Sequence, residues 1–158
     1  MLLFVSAWCA SAVIVSVNTS QIRGANYVPS YANDGVWGCD DIFSSRYNLT
    51  TIRHELSFAA QLGVNALRLF VSYDNYRANS TQLLSRLAEF LDTTASFPAI
   101  SLGTHLVLYY RNPLVHGDVP HVCPFADAVV ATAVASKGAV FVLELYNEPP
   151  PYDVAVVA

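Results

Sequence analysis

The chain has 158 residues, which is enough for one domain with a sizeable core but short of the roughly 250 that a complete eight-fold β/α barrel typically needs. Its net charge is −4 with only eight Lys and Arg, none clustered, so it offers no electrostatic footprint for nucleic acid or an anionic lipid surface. Charged residues make up 13% of the chain against about 25% in ordinary soluble domains, so little of it is built to face water and part of the apolar surface is expected to need a partner.

Residues 1–17 carry no charge and contain Leu2-Leu3-Phe4-Val5 and Val13-Ile14-Val15 around the small residues Ala10-Ser11-Ala12. The pattern reads as a secretory signal peptide over residues 1–20, or a signal anchor given the missing basic start, followed by one domain over residues 21–158. Three sequons, Asn18-Thr19-Ser20, Asn48-Leu49-Thr50 and Asn79-Ser80-Thr81, agree with an extracellular protein. In that compartment Cys39 and Cys123 can pair or stay as two free thiols, and no Cys-x-x-Cys spacing suggests a metal.

Residues 22–27 read as a first strand, followed by a long loop rich in Pro, Ser, Asn, Asp and Gly that runs to Arg46. Asn48 or Thr50 then caps a helix with Ile52, Leu56, Ala59 and Ala60 at helical spacing, and Gly63 ends it. Residues 66–71 form a second, almost wholly apolar strand, as expected of a strand covered on both faces. A polar loop is expected over residues 72–79, and a second helix over 80–94 with Leu83, Leu84, Leu87, Phe90 and Leu91 on one side. A third strand spans 104–110, a third helix 127–136, and a fourth strand starts at Val140 and closes at the prolines after Glu148.

This β-α-β-α-β-α-β order requires a parallel sheet with right-handed crossovers, either doubly wound or part of a barrel. No GxGxxG follows the first strand and no GxxxxGK[ST] occurs anywhere, which disfavours a nucleotide-binding sheet. The expected fold is therefore α/β of the parallel TIM-barrel type, with about the first four β/α units in this sequence. A half barrel leaves two sheet edges and a concave apolar face open, so self-association is expected of the isolated chain.

Glu148 follows an apolar strand, at the end of a parallel β/α sheet where chemistry is done, beside Tyr146 and Pro149. Desolvation there can raise a carboxyl pKa, as a general acid requires. Glu144 lies on the same strand an even number of residues earlier and competes for that role, although its deeper position suits a partner for Arg68 better. His105 is expected near the start of its strand, on the stability face. Trp37, Tyr27, Tyr73, Tyr109, Tyr110 and Tyr146 fall in or beside top loops, where rings can contact a ligand or fill the core.

Asn147-Glu148-Pro149 after an apolar strand resembles the fourth-strand signature of the retaining glycoside hydrolases built on β/α barrels, the clan of cellulases and β-mannanases. The segment Arg23-Gly24-Ala25-Asn26-Tyr27-Val28-Pro29-Ser30 resembles their first strand, and Glu55-Leu56 through Leu69-Phe70 their first helix and second strand. The resemblance covers roughly residues 22 to 150.

It implies hydrolysis of O-glycosyl bonds in a β-linked poly- or oligosaccharide, with Glu148 as general acid/base, Asn147 on the sugar 2-hydroxyl and Arg68 holding the partner carboxylate, or else paired with Glu144. Asn26, Tyr27, Trp37, Tyr73, Tyr110 and Tyr146 are the expected substrate contacts. No cofactor or metal is implied, the partner is the carbohydrate, and no membrane contact is expected beyond the N-terminal segment. The family's nucleophile is a glutamate on the seventh strand, and no residue of this sequence matches it. The chain alone is expected to lack hydrolysis, as the first half of an enzyme or as a non-catalytic carbohydrate-binding or structural remnant. A barrel isomerase or lyase using Glu148 as a base on a phosphorylated metabolite is the other class, and it predicts a glycine-rich phosphate loop.

Overall fold

The computed structural model describes residues 19–32, 42–109 and 119–146. They form four strands and three helices that alternate along the chain: β1 (Gly24–Asn26), α1 (Leu49–Gln61), β2 (Ala66–Phe70), α2 (Tyr73–Thr94), β3 (Gly103–Tyr109), α3 (Val119–Ala135) and β4 (Val140–Tyr146). The strands make one parallel sheet in sequential order β1-β2-β3-β4. The fold is thus α/β with a four-stranded parallel sheet, and the described strands contain no reversal of order such as defines a doubly wound sheet.

Sequential order joined by crossovers of one hand sends every helix to the same side of the sheet. The core reflects this: Leu67, Leu69, Leu106 and Leu108 from the strands are buried in one cluster with Ile52 and Leu56 of α1, Leu83, Leu87, Phe90 and Leu91 of α2, and Phe125 and Val129 of α3. Strand residues alternate between faces, so Arg68 and Phe70, which are only partly buried, belong to the side opposite the described helices.

Local signals account for most element ends. The Asn48 side chain accepts the Thr51 N–H at 3.1 Å to cap α1, and Gly63 takes φ +76° just after its end, where a side chain would be strained. Glu55 of α1 ties down the chain after β1: its Oε2 accepts the Tyr27 hydroxyl at 2.8 Å and its Oε1 the Ser30 N–H at 2.9 Å. Arg86 of α2 donates to the Phe43 carbonyl at 3.0 Å and to that of Ser44, and so holds the end of the long loop.

Residues 72–79 are not the expected polar loop. Ser72 accepts the Asn75 N–H at 3.3 Å and starts α2 early, at Tyr73. The helix breaks at Asn79, which is extended (φ −160°, ψ 86°) and whose side chain accepts the Gln82 N–H at 3.0 Å. The helix expected from residue 80 is therefore present with its own cap, and a short helical piece precedes it. The third helix also starts earlier than residue 127 and takes Pro124 into its interior, where one helical hydrogen bond is lost.

The pairing of β3 with β4 shifts register between Thr104 and His105: Thr104 faces Val140, but His105 faces Val142, with Phe141 as the extra residue. Such a bulge reverses the alternation, because a one-residue slip moves every following side chain to the other face. Val140 packs on the helix-side core, and Glu144, four residues later, lies instead on the face of Arg68. In an unbulged strand these two residues would share a face.

Candidate functional site on the Arg68 face of the sheet

Three charged or titratable side chains from β2, β3 and β4 meet on this face. Arg68 grips both oxygens of Glu144: its Nη2 lies 2.9 Å from Oε1 and 2.8 Å from Oε2, and its Nε lies 3.2 Å from Oε2. The guanidinium also lies over the Phe70 ring, 4.8 Å from its centroid, a cation–π placement that fixes its plane. His105 brings Nε2 to 2.9 Å from the same Glu144 Oε2, a close approach without the in-line geometry of a good hydrogen bond. The Phe141 ring, displaced by the bulge, stands edge-on to the imidazole at 6.3 Å.

The side chains of Arg68, His105 and Glu144 are 25%, 21% and 26% exposed, so the group is partly desolvated but open to a ligand. Burial lowers the His105 pKa, the Arg68 charge lowers it further, and Glu144 opposes both. At neutral pH the group is therefore an Arg–Glu ion pair beside a neutral imidazole. Arg68 occupies both oxygens of Glu144, so this carboxylate is a scaffold element between strands more than a free acceptor for substrate.

His105 is the third residue of β3, near the start of its strand as expected, and as the register partner of Arg68 it also stands in the charged cluster, a neighbourhood the sequence reading did not name. The signal was in the offsets, since Arg68 and His105 each sit two residues after the start of paired strands. Asn26 is exposed at the end of β1 and pairs in register with Arg68, which puts it beside the cluster.

Tyr27 and Tyr73 lie elsewhere. The Tyr27 ring stacks on Phe90 at 5.7 Å, and burial and Glu55 push its hydroxyl pKa well up. Tyr73 opens α2 and packs against Phe125 at 5.4 Å. Both rings belong to the core between sheet and helices. Tyr146 is the last residue of β4, paired with Tyr109.

Trp37, Tyr110, Asn147 and Glu148 lie outside the described residues, as do residues 1–17 and Cys39. Among the described residues Cys123 is exposed and has no disulfide partner. Among them, too, no three His, Cys, Asp or Glu side chains gather to hold a metal ion, and no helix is long and apolar enough to cross a membrane. No protein-family model, curated protein or solved structure matches the chain.

Proposed function

We propose that this sequence is the N-terminal half of an extracellular retaining glycoside hydrolase of the cellulase-like type, acting on a β-linked poly- or oligosaccharide. The four strands and three helices are then the first units of a TIM-type barrel, and the sheet face that carries Arg68 is its interior. One observation supports the reading: β4 spans Val140–Tyr146 and is followed in the sequence by Asn147-Glu148-Pro149, in a sequentially ordered parallel sheet that carries Arg68 and Glu144 on one face. Strand C-terminal ends are where barrel enzymes keep their catalytic groups.

In this reading Glu148 protonates the glycosidic oxygen and then activates water, a role that contributes about 10²- to 10⁴-fold in rate. Asn147 binds the sugar 2-hydroxyl. Arg68 and Glu144 act as a rigid inter-strand clamp below them, and Asn26 borders the sugar cleft. Retention also needs a second carboxylate about 5 to 5.5 Å from Glu148 as nucleophile. The sequence has no residue that matches it, so these residues supply the acid/base half of the chemistry.

The capture of Arg68 by Glu144 favours a second reading, a carbohydrate-binding half barrel without catalysis, because an arginine already engaged by one glutamate is not free to hold a nucleophile. Both readings require sugar binding. Titrating cello- and manno-oligosaccharides into the isotope-labelled chain should shift backbone amides at the C-terminal ends of β1 to β4, with Asn26 and Phe70 among them. Amides that stay unmoved at saturating sugar would overturn both readings, and hydrolysis by the protein would decide between them.

A further inference from the structure

We propose that Asn48 and Asn79 are N-glycosylation sites in which the asparagine that carries the glycan also caps a helix. The proposal rests on the extracellular reading above. Each asparagine opens a sequon with threonine two residues on, and in both cases the asparagine and the threonine are exposed. Both asparagines are extended, at φ −136°, ψ 98° for Asn48 and φ −160°, ψ 86° for Asn79, so neither side chain is confined by a helical turn of its own.

The caps fix the orientation of each carboxamide. Oδ1 of Asn48 accepts the Thr51 N–H at 3.1 Å, and Oδ1 of Asn79 accepts the Gln82 N–H at 3.0 Å. Only the amide oxygen can accept, so Nδ2 is the arm turned away from these N–H groups. Asn65 shows the opposite case. It is 6% exposed, its Nδ2 donates to the Gln21 carbonyl at 2.9 Å and its Oδ1 accepts the Arg23 N–H at 2.8 Å, so both arms are spent inside the fold.

In the modification, Nδ2 attacks C1 of an oligosaccharide linked to a polyprenyl diphosphate. The N–C1 bond forms, the bond from C1 to the diphosphate oxygen breaks, the lipid diphosphate leaves, and one Nδ2 proton passes to a base. Oδ1 is untouched, so the modified residue still accepts its hydrogen bond. A glycan added to the nascent chain is therefore compatible with both helix starts.

The test uses the full chain behind a heterologous secretion signal in a eukaryotic cell, with a reference acceptor sequon appended at its C-terminus to report entry into the secretory pathway. Release by peptide N-glycosidase in ¹⁸O-water marks every occupied asparagine by mass. Molecules that carry the reference glycan should be marked at both Asn48 and Asn79. Thr50→Ala and Thr81→Ala should each abolish one mark while keeping the capping asparagine. Reference-marked molecules bare at both positions would overturn the proposal, and one bare position would overturn it there. The added signal makes this outcome independent of whether residues 1–17 direct secretion.

Discussion

Removing the Arg68–Glu144 pair tests whether the two strands are clamped as described. Two unit charges about 4 Å apart attract by about 4 kcal/mol at the effective dielectric of about 20 found near protein surfaces. Each side chain is about a quarter exposed, at 25% and 26%, so water and salt screen part of that attraction. Fully exposed pairs contribute about 0.2 to 1 kcal/mol, whereas breaking a buried pair costs about 3 to 5 kcal/mol. The bidentate geometry and the Phe70 ring place this pair between those limits, at a coupling energy of about 2 kcal/mol. The assay is a double-mutant cycle with Arg68→Met, Glu144→Gln and the double variant, read by urea unfolding of the full chain at low ionic strength. A coupling below about 0.5 kcal/mol would refute the reasoning, because a pair on the surface limit cannot hold β2 to β4.

Gly103→Ala should destabilise the chain far more than Gly63→Ala. At Gly63 (φ +76°) a Cβ would meet only Arg23 Nε, at 3.6 Å, so the left-handed backbone alone costs about 1 to 2 kcal/mol. At Gly103 (φ +87°) a Cβ would lie 2.7 Å from the Ala139 carbonyl carbon and overlap its oxygen, which accepts the Thr104 N–H, so the cost should exceed about 3 kcal/mol. Equal losses in urea unfolding would contradict this. Asn48→Ala should remove the α1 cap at about 1 kcal/mol, measured the same way, and no loss would show that the Thr51 amide finds water instead.

His105 has its pKa lowered from 6.5 by folding, so below about pH 6.5 the unfolded chain binds the extra proton first. Its contribution to stability is complete above that value and is lost as pH falls toward the lowered folded pKa. The stability gap between the parent chain and His105→Asn should therefore narrow between about pH 7.5 and about pH 5.5, and a widening gap would reverse the assignment.

The periodicity of the sequence made the architecture legible, since Leu67 and Leu69, Ile52 and Leu56, and Leu83 and Leu87 all enter the core in the expected elements. The early start of α2 was hidden because Asn75, Asn79 and Ser80 are turn-forming residues, and it took the Ser72 and Asn79 caps to build helix from them. The site was legible only in part. Arg68 and Glu144 are named easily as partners, but an ordinary β4 register would not have put Glu144 on the same face as Val142 while Val140 turned to the core. Nothing in Val140-Phe141-Val142 announces a bulge, and the place of His105 follows from strand register, which local propensity does not encode. Tyr27 and Tyr73 went to the core because Glu55 and Phe125 claim them, contacts between distant segments of the chain.

The most direct test of the central claim is the Glu148→Gln substitution in the protein that carries this sequence, assayed on soluble β-linked glucan and mannan, with the anomeric configuration of the first product followed by proton NMR. The account predicts retained configuration in the parent protein and a loss of about 10²- to 10⁴-fold in the variant. Undiminished hydrolysis by the variant, or an inverted first product, would contradict it.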